Sequence, residues 1–289
     1  MGQTNNTVAE AKDLNYVKGE VQQYETAKPG QFNYIFVEGT EDESVIGRFK
    51  SSNTIVTSPG GKGYLKDVID FVKDIVSGYL VIRDVDYDCL DTKYFYYDFC
   101  SLEIMILYCE NSIKAYADAL SIDEDTFVKI RDESIVKLSP ISRYRKSLKG
   151  RVEVDCLEYL ENNFEICLLP EKDFLEVFVK NLCAIYYSRG EKEKYERDIK
   201  TIFENNDYCV DELKSITNGH DFMEIFFVNL LVQKDKKDYK GKLGTNILKY
   251  TNQFSNCIRT LYSYEDFKAT DLYRKTRTLK DKNNNGFYK

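Results

Sequence analysis

The chain has 289 residues, 43% of them hydrophobic, with 4 prolines, 15 glycines and a formal net charge of −7. That length and apolar content fit one large domain or two ordinary ones with real cores, and exclude a disordered or loop-dominated polymer. The acidic balance argues against a protein that coats nucleic acid by charge alone, although net charge is a weak guide when acids gather at a metal and bases gather elsewhere.

Taken in chain order, residues 1–31 are polar and read as a flexible lead-in that ends in the turn Pro29-Gly30. An apolar run predicts a strand over 33–37, followed by a short helix over 42–49 and a second strand over 54–57. The loop Ser58-Pro59-Gly60-Gly61-Lys62-Gly63 comes next. Leu65, Val68, Ile69, Val72, Ile75 and Val76 then recur at helical spacing, predicting a helix over 64–76 that Gly78 closes. A third strand is expected over 79–83, and the β-branched and aromatic stretch 92–97 predicts a fourth. This βαβαββ order implies an α/β fold: a small, mostly parallel sheet flanked by helices.

Beyond residue 100 the texture becomes helical. Segments 101–120, 171–187, 192–203, 222–232 and 246–262 carry 3.6-type periodicity, while 153–169 is ambiguous between strand and helix. The tail 281–289, with Asn283-Asn284-Asn285-Gly286, reads as frayed. The expected organisation is therefore a lead-in over 1–31, an α/β domain over 32–120 and a mainly helical part over 121–289. No apolar run approaches the roughly 20 residues that a membrane span needs, and no signal peptide opens the chain, so a cytoplasmic protein is expected. The eight cysteines include no Cys-x-x-Cys pair, which removes the usual zinc spacings; most sit in apolar stretches and read as small reduced core residues. With only one histidine, His220, a histidine-rich zinc site is impossible.

Two segments carry the chemistry. In Tyr34-Ile35-Phe36-Val37-Glu38-Gly39-Thr40-Glu41-Asp42-Glu43, and again in Leu80-Val81-Ile82-Arg83-Asp84-Val85-Asp86-Tyr87-Asp88, an apolar run ends abruptly in carboxylates. Each reads as a buried strand that delivers acids to the carboxyl edge of a sheet, where α/β folds place their sites. Right-handed crossovers put residues 38 and 84 on neighbouring strands. Asp84 and Asp86, two apart, face the same side if the backbone there is extended. Acids gathered in this way repel one another unless a cation sits among them, and an all-oxygen set suits Mg²⁺ or Mn²⁺. Metal-assisted phosphoryl chemistry uses such a set, so Glu38, Asp84 and Asp86 are the expected catalytic ligands. An EF-hand reading fails, because counting from Asp84 places Cys89 and Phe95 where glycine and glutamate belong. A haloacid-type phosphatase is disfavoured by Asp88 in the threonine position. A glycosyltransferase Asp-x-Asp stays open but leaves Val37-Glu38-Gly39 unexplained.

These motifs resemble the TOPRIM domain, the metal-binding fold of topoisomerases, primases, ribonuclease M5 and OLD-type nucleases, with Glu-Gly at the first strand's end and Asp-x-Asp at the third's. Tyr97-Asp98-Phe99-Cys100-Ser101-Leu102-Glu103 and Asn218-Gly219-His220-Asp221-Phe222 are similar to segments of a TOPRIM-like family encoded beside ABC-type ATPases, which includes the AriB effector of the PARIS anti-phage system. The likeness covers roughly residues 33 to 230. It implies a nuclease using Mg²⁺ or Mn²⁺, with two ions expected, that cleaves RNA such as tRNA and is held silent by an AriA-like ATPase partner. It also implies Glu38, Asp84 and Asp86 as metal ligands, with Glu38 open to general acid/base work. By the same resemblance Glu103 would complete the shell from the following helix, with Asp42 and Asp88 as outer candidates. His220 and Asp221 belong to the family-like segment; read alone, Asp221 is a helix N-cap.

Lys62 is a candidate for transition-state charge. Its loop lacks the Walker pattern, and a tight turn explains the glycines as well as a phosphate cradle does. The run Arg143-Tyr144-Arg145-Lys146-Ser147-Leu148-Lys149-Gly150-Arg151 holds five cations and no acid. Arg143, Arg145 and Lys146 could therefore track a phosphate backbone, although a solvated helix face explains such a run better. Aromatic content of 14%, with 23 tyrosines and 17 phenylalanines, exceeds what a core of this size obviously needs. Together with the resemblance it points to surface aromatics and a homo-oligomer when active. Two other functions stay open: a non-catalytic subunit of an ATPase complex, and a primase-like nucleotidyltransferase.

Overall fold

A computed structural model describes residues 13–87, 90–147, 209–234 and 247–289, together with Asp173, Glu176, Glu193 and Glu196. The expected helices over 171–187 and 192–203, the ambiguous stretch 153–169 and Asp88 otherwise lie outside the described residues.

In chain order the described elements are α1 (Leu14–Ala27), β1 (Asn33–Val37), α2 (Thr40–Ile46), β2 (Thr54–Thr57), α3 (Lys62–Val72), β3 (Gly78–Arg83), β4 (Phe95–Tyr96), α4 (Leu102–Leu107), α5 (Ile113–Leu120), α6 (Glu124–Lys137) and α7 (Ser139–Ser147). After them come α8 (Val210–Lys214), α9 (Gly219–Lys234), α10 (Ile247–Leu261), α11 (Tyr264–Ala269) and α12 (Asp271–Thr276). The fold is α/β, with a four-stranded, all-parallel sheet in the order β2-β1-β3-β4. Contacts divide the chain into two compact units. The first comprises residues 1–84, 90–98 and 267–289; the second comprises 85–89 and 99–266. The boundary expected near residue 120 falls inside the second.

In the first unit the sheet forms because β1 and β3 are continuous apolar runs. Tyr34, Phe36 and Val81 pack with Leu65, Val68, Ile69 and Val72 of α3 and with Val17 and Val21 of α1. Ile35, Val37, Leu80 and Ile82 alternate with that set, so they face the other side of the sheet, and they are buried too.

Two parts of this unit differ from the sequence expectation. The lead-in contains helix α1, whose first turn is capped by Asp13, its carboxylate accepting from the Tyr16 amide at 2.8 Å. Only Val17 and Val21 of that helix are buried, which is why its composition reads as polar. The tail is not frayed but folded into the unit. Asp281 accepts from the amides of Asn283 and Asn285, and this turn delivers Phe287, whose carbonyl accepts from the Ser51 amide at 3.0 Å. Gly78 is required here, since a Cβ on it would lie 2.7 Å from the Cβ of Asp281. Phe287 is 3% exposed, and Phe287→Ala is expected to cost about 3 kcal/mol, readable as a lowered urea midpoint. A midpoint unchanged from wild type would mean that the tail is dispensable.

The described part of the second unit is helical. Helix α9 packs on α4, α6 and α10, and α5 and α8 pack on α6. An aromatic chain runs through it from Tyr108 to Phe222 to Phe226, with Phe127 and Phe254 5.4 and 5.6 Å from Phe226. The described aromatics are thus largely spent on internal stacking. Tyr16, Tyr24 and Tyr64 are the exposed ones among the described residues, so aromatic content does not by itself mark an interface. Of the described cysteines, Cys100 is buried, Cys109 partly so, and Cys209 and Cys257 are exposed; all four are free thiols. Among the described residues no helix is long and apolar enough to cross a membrane.

Candidate functional site

In the first unit the β1–β3 ladder sets Phe36 against Val81 and Val37 against Ile82. Glu38 and Asp84 therefore leave the carboxyl ends of neighbouring parallel strands, each one residue beyond its own strand. Both are half-buried. The surrounding loops are tied down. The Ser58 hydroxyl donates to the Glu38 carbonyl at 2.8 Å, and the Ser58 amide donates to the Glu43 carboxylate at 3.2 Å. The turn after β1 and the turn after β2 thus hold each other in place. The sequence shows Glu43 at the end of the acidic run and Ser58 at the start of the glycine-rich loop, but no local pattern pairs them. Asp42 accepts from the Gly39 amide at 2.8 Å and is buried at the start of α2. As the third residue of α2 it bonds back to the N-cap backbone and closes the helix's first turn. Lys62 opens α3 as an exposed residue behind Gly61, which has no side chain to cap the helix.

The expected extended pair Asp84–Asp86 does not form. Strand β3 ends at Arg83, and Asp86 adopts φ 47°, the left-handed region that aspartate tolerates because its short side chain can bond locally. Strand alternation therefore does not fix which way Asp86 faces. Asp86 and Glu103 belong to the second unit, Glu38 and Asp84 to the first.

Two buried ion pairs are found among the described residues of the second unit. Glu103, in the first turn of α4, accepts from Arg259 of α10 at 2.9 Å, and the two side chains are 7% and 8% exposed. Burial alone would raise the Glu103 carboxyl; the charges of His220 and Arg259 outweigh it and hold the group below its ordinary value of 4.5. The guanidinium pairs with this carboxylate, one of whose oxygens also lies within 4.8 Å of a His220 ring nitrogen. A folded value below the unfolded one means that the pair stabilises above pH 4.5 and is lost as pH falls through the folded value. The melting temperature of the native protein should fall more steeply on acidification than that of Glu103→Gln/Arg259→Met; parallel curves would refute the assignment.

The second pair joins Arg145 of α7 to Asp221 of α9, both buried. Asp221 is therefore not the N-cap of α9. That role falls to Asn218, whose side-chain oxygen accepts from the amides of His220 and Asp221 at 3.0 and 3.2 Å. The asparagine-glycine step before the helix was the available signal. The basic run is likewise engaged by acids: Arg143 and Lys146 lie 3.6 and 3.7 Å from Glu212, and Arg145 is committed to Asp221. Arg145 is not available to a phosphate backbone; Lys149 and Arg151 lie outside the described residues. No family model, curated protein or solved structure matches the chain.

Proposed function

We propose that the chain is a metal-dependent phosphodiesterase acting on nucleic acid, with Glu38 and Asp84 at the centre of its site. One observation carries this reading: two half-buried carboxylates leave the ends of adjacent parallel strands at the edge where α/β folds do chemistry. Their donors are oxygens only, which fits a hard divalent ion, Mg²⁺ or Mn²⁺, and disfavours zinc. Such an ion, when bound, supplies Lewis-acid polarisation of the phosphate and a more acidic bound water. The chain's own contribution is to hold two like charges in place, Ser58 fixing the backbone of Glu38 from the neighbouring loop. Asp86, two residues beyond Asp84 in sequence, is a further candidate acid and belongs to the second unit.

The resemblance to TOPRIM proteins supports RNA as the substrate, two ions, an ABC-type ATPase partner that silences the enzyme, and an active homo-oligomer in anti-phage defence. Purified protein should be incubated with tRNA, plasmid and single-stranded DNA in Mg²⁺, Mn²⁺ or EDTA, alone and with an ATPase partner. Cleavage that EDTA abolishes supports the proposal, whereas intact nucleic acid in every condition overturns it. Incorporation of labelled nucleotides would instead select a primase-like activity. The engaged basic run favours a second reading, a non-catalytic subunit of an ATPase complex, which the same experiment separates.

A further inference from the structure

The turn that returns the tail to the sheet carries a spacing that the carboxylate edge does not use. Asp281-Lys282-Asn283-Asn284-Asn285-Gly286 matches the opening of the calcium loop D-x-[DN]-x-[DN]-G, whose first, third and fifth side chains present oxygens to the ion. Phe287 stands where that loop uses a backbone carbonyl. Asp281 is buried, and its carboxylate accepts from the amides of Asn283 and Asn285 at 2.8 and 2.7 Å and from the Asn285 side chain at 3.0 Å. Among the described residues no lysine or arginine pairs with it. A second observation comes from outside the turn. Asn33, at the start of β1, is fully buried, and its side-chain oxygen has no hydrogen-bond partner among the described residues. Its side-chain nitrogen reaches the carbonyls of Asn285 and Gly286 only at 3.4 and 3.5 Å, beyond the ordinary N–H···O range of about 2.7–3.2 Å. A Cβ on Gly78 would lie 3.0 Å from the Asn33 oxygen and 2.7 Å from the Asp281 Cβ, so both residues converge on this glycine. An orphaned oxygen at such depth costs free energy unless something meets it. All of these residues belong to the first unit.

We propose that this turn is a calcium site, with Asp281, Asn283 and Asn285 as its side-chain ligands and Asn33 as an oxygen that β1 brings to it. The ion gives the buried Asp281 a counter-charge and the Asn33 oxygen a partner. Half a rotation of the Asn285 amide replaces its nitrogen, now against Asp281, by its oxygen, which a cation between the two would hold there. The exposed side chains of Asn283 and Asn285 leave the turn open to solvent, so an ion can enter without unfolding the tail. Magnesium suits the turn poorly, because it demands a tight octahedron and gives up its water reluctantly. One carboxylate among neutral ligands sets a weak affinity, with Kd on the order of 10⁻⁴–10⁻³ M. Asn33 opens β1 and Glu38 follows its far end, so this site is separate from the carboxylate edge. Its effect is to clamp the turn that delivers Phe287 to the core.

Thermal unfolding of the full chain in rising calcium chloride, with ionic strength held by sodium chloride, provides the test. The chain carries Glu38→Ala/Asp84→Asn, so that the acids of the carboxylate edge contribute nothing to the signal. At ~10 mM calcium the melting temperature should rise by a few degrees, and magnesium at the same concentration should raise it far less. Asn283→Ala takes away a ligand oxygen while its backbone amide can still bond to Asp281, and it should remove most of the calcium shift. Asn283→Asp adds a second carboxylate and should lower the calcium Kd by roughly 10-fold. Asn33→Ala should weaken calcium as well. No calcium shift, a shift that Asn283→Ala leaves intact, or an equal shift with magnesium would overturn the site. Since cleavage is not the readout, the result stands whether or not the phosphodiesterase reading does.

Discussion

Glu38→Ala is expected to leave nucleic acid uncut under conditions where the native protein cleaves it, a loss of at least ~10³-fold in turnover, or about 4 kcal/mol of transition-state stabilisation. The side chain sits one residue past β1 beside the end of β3, so removing it deletes half of the charge that neighbouring strands deliver to this edge. Asp84→Asn should act in the same direction, because it keeps the shape of the group and removes the charge. Neither change should lower the urea midpoint appreciably, since neither residue belongs to the apolar core and the Ser58 bond is to the Glu38 backbone. Manganese binding followed by calorimetry separates a lost ligand from a lost general base: a ligand takes the ion's heat of binding with it, a base does not. Asp42→Ala provides the contrast, with stability reduced by about 1 kcal/mol through the lost cap and turnover largely kept. Native-level cleavage by Glu38→Ala would remove the basis of the proposed function.

The second large effect belongs to the helical unit. Arg145→Ala strips the partner from Asp221, a carboxylate in a site where water cannot replace the guanidinium, and should cost about 3–5 kcal/mol. Arg145→Met/Asp221→Leu should recover most of that, because the expense lies in the orphaned charge rather than in the absence of the pair. Urea unfolding of both variants tests this. A single variant as stable as the native protein would mean that the pair is solvated and the basic run free for other work.

Much of the sheet was legible in the sequence. Strands β1 and β2 span the expected residues and β3 differs by one, because uninterrupted apolar runs bounded by turns leave few alternatives when both faces are covered. Local sequence also placed Glu38 and Asp84, since strand order and right-handed crossovers decide which ends are neighbours. Helix α1 was hidden by its composition, only two of its side chains entering the core. Segment 101–120 reads as one helix but breaks between α4 and α5, where Cys109 leaves helical geometry. The ion pairs could not be read at all. Glu103 and Arg259 stand 156 positions apart, Arg145 and Asp221 76 apart, and no local pattern says which arginine a buried carboxylate will find. The basic run misled for that reason: charge is visible in a sequence, while its neutralisation is a property of the packed helices.

The α/β unit is discontinuous along the polypeptide, and this has a consequence for biosynthesis. Its strands leave the ribosome well before Phe267, Leu272 and Phe287, which are buried in the finished unit. At 5–20 residues per second, an interval on the order of 170 residues keeps the nascent sheet waiting for about 10–30 seconds. During that time the face packed by α1 and α3 can already close, whereas the places that Phe267, Leu272 and Phe287 fill stay open. A ribosome that stalls within the helical segment would leave this unit without Phe267, Leu272 and Phe287, so its core is completed only after the intervening segment has been made.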